Sequence, residues 1–156
     1  MERLVDQALD AIRRGDPDVV NDGIRLATSF FEHAHGQAQG LEYPEVVNEP
    51  AGPDDLARLR EALVELVVRR GSPLAVVAAA VFALGKAGDP GLTGFFTLVL
   101  RDYLHGDAGV LYQAMIALDN LGANVFAGRQ SMSILEETEN RVLAADFVRR
   151  ADLRGR

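Results

Sequence analysis

Residues 72–90 read SPLAVVAAAVFALGKAGDP, and every side chain from Leu74 to Leu84 is apolar. At about 3.6 residues per turn that run makes roughly three helical turns. A helix that is apolar all round is buried all round, so other helices are expected to cover it on every side. It is too short for a bilayer span, which needs on the order of 20 apolar residues. The stretch therefore predicts the buried helix of an all-α protein, opened by Ser72-Pro73 as cap and first helical residue and closed at Gly88.

Working outward, the same punctuation recurs. Arg13-Arg14-Gly15 and Arg69-Arg70-Gly71 each place basic residues and a glycine where a helix should end, suiting the C-terminal dipole and a left-handed residue after it. Asp16-Pro17 and Asp89-Pro90 repeat the cap-and-proline start, while Asp54 or Asp55 and Asp107 supply further caps. Apolar residues at spacings of three and four run through the segments so delimited. Leu4, Val5, Ala8, Leu9 and Ile12 form one face, and Val20, Ile24, Ala27 and Phe31 a second. Leu56, Leu59, Leu63 and Leu66 form a third. Phe95, Phe96 and Val99 continue the pattern, as do Val110, Leu111, Ala114, Met115 and Leu118, and finally Val142, Leu143 and Phe147. About seven helices are predicted, near 2–14, 17–35, 54–70, 73–87, 90–105, 108–121 and 132–153. The last is started by a capping box of Ser133 and Glu136. No strand pattern competes.

Sliding the chain on itself by 34 residues superposes Val76, Ala80, Ala83, Leu84 and Gly88 on Val110, Ala114, Ala117, Leu118 and Gly122. Val77/Leu111, Val81/Met115, Phe82/Ile116 and Ala87/Leu121 are apolar in both copies. The implied unit is a helical hairpin that repeats. The pattern Val76-x-x-x-Ala80-x-x-Ala83-Leu84-Gly85-x-x-Gly88-Asp89-Pro90 resembles the short bacterial HEAT-like repeat of the phycobilisome-lyase type. The resemblance covers residues 72–104 well and 106–124 less well, and it departs at Val77, where such repeats often carry Arg. It implies a HEAT-like α-α superhelix; an irregular helical bundle is the alternative. It also implies that some relatives are chromophore lyases or isomerases.

Composition narrows the functional classes. The 156 residues fit a single domain, and the absence of Cys removes disulfides, cysteine zinc sites and thiol chemistry. The N-terminal segment mixes charge with apolar residues and lacks the uninterrupted core of a signal or anchor, so a cytoplasmic protein with no membrane association is expected. The net charge of −7 argues against a nucleic-acid backbone as partner and agrees with a neutral or basic protein. Arginine supplies nearly all the positive charge, Lys86 being the only lysine. Arg149, Arg150, Arg154 and Arg156 come nearest to a cluster, diluted by Asp146 and Asp152.

No catalytic motif stands out and no cofactor is indicated. Glu32, His33 and His35 form the only His–acid cluster, but they lack the i, i+4 histidines of a zinc helix, and a histidine at a helix C-terminus is the simpler reading. His105 takes the same reading. Ser131 and Ser133 lack the setting of a nucleophile elbow and are assigned to capping. Two surfaces remain. Residues 37–53, QAQGLEYPEVVNEPAGP, carry three of the six prolines and form a loop longer than compact domains usually hold. Its Leu41, Tyr43, Val46 and Val47 could dock, and Glu42, Glu45 and Glu49 add negative charge. It is either a solvated insertion or a binding loop. The acidic start of the last helix, Glu136, Glu137 and Glu139, is the second candidate. The expected function is a non-catalytic protein-interaction module (an inhibitor, immunity or adaptor protein), with a HEAT-like enzyme or a self-associating repeat as alternatives.

Overall fold

Each interval between the predicted caps has one apolar stripe to bury, and a stripe of that kind needs a second helix against it. The computed structural model describes residues 2–129 and 132–154. It contains seven α-helices: α1 (Leu4–Arg14), α2 (Pro17–Ala34), α3 (Pro53–Val68), α4 (Leu74–Lys86), α5 (Thr93–Tyr103), α6 (Ala108–Asn120) and α7 (Glu137–Arg154). Single 3-10 turns occupy Pro44–Val47 and Pro90–Leu92, and there is no strand among the described residues. The protein is all-α. Ser131 and Arg156, read above as a cap and as part of an arginine cluster, lie outside the described residues.

The chain divides into two compact units, one ending at Ala87 and one beginning at Gly88. In the first, α1 packs on α2 and α3, and α4 packs on α2 and α3. Val5, Ala8, Leu9 and Ile12 of α1 meet Ile24, Ala27, Phe30 and Phe31 of α2 in a core that includes Leu59, Leu63, Ala80 and Leu84, all nearly inaccessible to solvent. The α1–α2 crossing is close: a Cβ on Gly23 would lie 2.8 Å from the Ala11 Cβ. In the second unit, α5 packs on α6 and α7, and α6 on α7. Phe96, Leu100, Leu111, Met115, Leu118 and Ala144 fill its centre. Val125 and Phe126, which follow α6 outside any helix, are buried there as well.

Asp16 and Asp107 cap as expected, their carboxylates accepting from the Val19 and Val110 N–H groups at 3.1 and 3.0 Å. Several starts differ from expectation. Gly52, not Asp54 or Asp55, is the N-cap of α3. Asp55 instead reaches back from the third helical position to the Gly52 N–H. Ser72 turns away from α4 and donates to the Leu66 carbonyl at 3.1 Å, leaving Pro73 at the cap position. The last helix begins at Glu137, because the Ser133 hydroxyl accepts from Leu135 N–H within a separate turn and the first helical carbonyl is that of Glu136. Gly15 is extended, with φ −75°, and not left-handed. Its neighbour in the next helix is what excludes a side chain there, since a Cβ on Gly15 would lie 2.6 Å from the Val19 Cγ1.

Burial also corrects two stripes. Phe82 in α4 is 44% exposed, with the Lys86 ammonium 5.2 Å from its ring centre, so the helix is not covered on all sides. Val142 in α7 is exposed; Asn140, Ala144, Phe147 and Val148 form the buried face instead.

Candidate functional site

The 37–53 segment crosses the first unit as a docked strap. Val46 is completely buried. The Tyr43 N–H donates to the Ser29 hydroxyl of α2 at 3.2 Å, which gives that buried serine a partner. Glu49 accepts the Leu4 N–H at 2.6 Å. The start of α1 has no acceptor of its own, since Arg3 occupies the cap position, and Glu49 supplies one from 45 residues away. Leu41 is half-buried, whereas Glu42, Glu45 and Val47 face solvent. Glu42 lies 3.6 Å from Arg25 of α2; both are more than half exposed, and a pair of that kind contributes little.

Beside the strap, α1 and α2 leave an open groove of about 250 Å³. Ala8, Gly23 and Leu26 are its buried lining and Ala11 and Tyr43 its half-buried lining, with Gln7, Val19 and Asp22 completing it. Burial pushes the Tyr43 phenol up, and the negative charges of Asp22, Glu42 and Glu45 push it further against the opposing influence of Arg25. Three carboxylates and one guanidinium thus act on one ring. A second groove of about 180 Å³ brings Gly15 of the first Arg-Arg-Gly corner to Arg69, Arg70 and Gly71 of the second, over Val20, Leu66 and Val76.

In the second unit, Glu136, Glu137 and Glu139 have different fates. Glu136 is exposed, and its backbone carbonyl accepts the Asn140 N–H. Glu139 pairs with Arg129. Glu137 holds Arg141 at 2.7 Å, and that guanidinium donates to the Leu104 and Gly106 carbonyls at 2.8 Å each, just beyond the end of α5. Two of the three acids are therefore engaged in holding the unit together. Asn140 next to them is 3% exposed and donates to the Ser133 carbonyl at 2.9 Å. Its Oδ1 is the one buried side-chain polar atom without a partner among the described residues.

The histidine cluster is pulled apart in function. The His35 Nε2 donates to the Ala87 carbonyl at 2.8 Å, tying the end of α2 to the end of α4. The Glu32 backbone carbonyl accepts from His35 and Gln37 in the turn that ends α2. Among the described residues no three His, Asp or Glu side chains come together as a metal site, and no helix is long and apolar enough to cross a membrane. The chain matches no protein-family model, no curated protein and no solved structure.

Proposed function

We propose that this chain is a protein-interaction module without chemistry of its own, acting as an inhibitor, immunity or adaptor protein for a neutral or basic protein partner. The observation that carries the reading is the strap. Val46, Tyr43 and Glu49 anchor it to α1 and α2, so Glu42, Glu45 and Val47 are presented from a held backbone. A surface ordered in advance loses less conformational freedom on association. The unit that carries it holds fourteen Asp and Glu against nine Lys and Arg, a balance that would speed encounter with a basic surface.

The test is capture from the source cell with wild-type protein and the E42Q/E45Q variant, followed by association kinetics against the captured protein over a range of salt. A charge-steered complex loses on-rate steeply as ionic strength rises, and the double variant should associate more slowly. An on-rate indifferent to both salt and variant refutes the proposal.

A self-associating repeat is the second reading, favoured by the exposed Leu98, Leu135, Val142 and Leu153 of the second unit. It predicts concentration-dependent oligomers in sedimentation, and a strict monomer excludes it. A helical-repeat relationship of the HEAT-like type is part of the same proposal. Its support is the 34-residue echo together with left-handed backbone at both Gly88 (φ 59°) and Gly122 (φ 86°).

A further inference from the structure

The groove between α1 and α2 combines features that a solvated surface does not need. Its lining includes the small or apolar residues Ala8, Ala11, Gly23 and Leu26, and Gly23 permits the close helix approach that shapes it. The aromatic Tyr43 belongs to the same lining. The acids that act on that ring come from two elements, Asp22 from α2 and Glu42 and Glu45 from the strap, and the basic residue among them, Arg25, is matched to Glu42. The result is a mostly apolar slot with the Asp22 carboxylate in its lining and the strap's negative charge acting on the same tyrosine. A wholly apolar side chain would leave that charge uncompensated. A carboxylate or phosphate would be repelled by it.

We propose that this groove receives an arginine or lysine side chain of a basic protein partner, its methylene stem lying on Ala8, Ala11 and Leu26 and its cationic end between Tyr43 and the Asp22 carboxylate. Long basic side chains pack their stems on apolar surface while keeping the charge at the edge, and an aromatic face next to carboxylates suits the cation. Arginine is the better fit of the two, because its flat guanidinium can stack on the ring and hydrogen-bond a carboxylate at once. The proposal rests on the interaction-module reading and names the chemistry that the partner would insert.

The probe is N-acetyl-arginine amide, titrated into the ¹⁵N-labelled full chain at low salt, with N-acetyl-norleucine amide as the uncharged control. Saturable shifts are expected at the amides of Ala8, Ala11, Gly23 and Tyr43 with the arginine probe and much weaker ones with norleucine. Asp22→Asn should weaken binding roughly two- to fivefold, the range of exposed ion pairs, and Glu45→Gln, at a residue outside the lining, should weaken it less. Tyr43→Ala should weaken it by a similar factor, and Tyr43→Phe, which keeps the ring, should stay near wild type. These side chains are exposed or half-buried and the Tyr43 anchor to Ser29 is a backbone N–H, so the variants should keep the fold. Equal binding of norleucine amide, shifts that map elsewhere, or indifference to both acid substitutions overturns the proposal. If the captured complex is salt-sensitive and the groove takes no arginine, the groove is eliminated and the module reading stands. If the groove takes arginine and the captured complex associates at a rate indifferent to salt and to E42Q/E45Q, the groove stands as a cation site and the charge-steered module reading falls.

Discussion

Replacing Val46 by alanine tests whether the strap is part of the fold. The side chain is fully buried, and alanine removes two methyl-sized groups. At about 0.8 kcal/mol for each such group the transfer loss is about 1.6 kcal/mol, and incomplete closure of the cavity brings the expected cost to about 2 kcal/mol. A limit applies. If the strap can leave the surface while the helices stay folded, global stability cannot fall by more than the strap's own docking free energy. Glu49→Ala removes the acceptor from Leu4 N–H and should cost about 1 kcal/mol, the usual loss for a helix cap. Independent sites would sum to about 3 kcal/mol in the double variant, and a strap that detaches as one piece would give distinctly less. Urea unfolding supplies the stabilities, and cleavage by a glutamate-specific protease at Glu42 and Glu45 reports local detachment. A Val46→Ala cost below about 0.5 kcal/mol, typical of surface changes, with no gain in cleavage would refute the docked strap.

The geometry sets four further outcomes. Leu84→Ala, at a completely buried position in α4, should cost about 2–5 kcal/mol in urea unfolding. Arg141→Ala should cost about 1–2 kcal/mol, below the value for fully buried charged hydrogen bonds because the side chain is 25% exposed; lysine should restore only part of it in the same assay, lacking the fork that spans the Leu104 and Gly106 carbonyls. Gly122→Ala meets open space but a φ of 86°, and thermal unfolding should register about 1 kcal/mol of backbone strain. For Asp55, burial pushes the carboxyl up, but hydrogen bonds from the Arg3 guanidinium and the Gly52 N–H, with Arg58 nearby, outweigh it and hold the group below its ordinary 3.8. A depressed carboxylate contributes stability that is present above the ordinary value and lost as pH falls through the folded one. Asp55→Asn should therefore flatten the loss of stability in that acid window, measured by urea midpoints at successive pH values.

Much of the helical framework is legible in the sequence because its signals are local. Asp16-Pro17 and Asp107 state their helix starts within four residues, and the α1, α2 and α6 stripes name their own buried faces. The starts that differ share a cause. Serine and aspartate at 54, 72 and 133 have several backbone partners within reach, and the fold selects the Leu66 carbonyl for Ser72 and the Leu135 N–H for Ser133. Val142 misleads because α7 has a charged first turn and a weak stripe, so its apolar residues do not fix which face is buried, and Val142 lies about 200° round the helix from Asn140. The buried Asn140 breaks the apolar pattern that would have fixed the phase. Val125 and Phe126 follow a glycine-bounded turn with no period at all, so only tertiary contact reveals them.

The site is legible as composition and illegible as function, for a reason that lies in sequence separation. Glu49 bonds a residue 45 positions away, Arg3 one 52 away, His35 another 52 away and Arg141 carbonyls 35 and 37 away. An acidic residue in a loop looks the same in sequence whether it caps a distant helix or faces solvent. That long connection removes Glu49 from the pool of acids free to meet a partner, and pairing with Arg141 and Arg129 removes Glu137 and Glu139; an incoming cation would have to displace each of these roles. Asp22 enters that pool although the apolar period of α2 passes over it, since only the docking of the strap brings Tyr43 into the same groove. The predicted consequence is a ranking. Neutralising Asp22, and to a lesser degree Glu45, should weaken binding of a cationic side chain with stability nearly unchanged, whereas neutralising Glu49 or Glu137 should lower stability first. Paired urea and titration measurements on the four variants separate the two groups, and a Glu49 variant that loses binding at full stability would break the assignment.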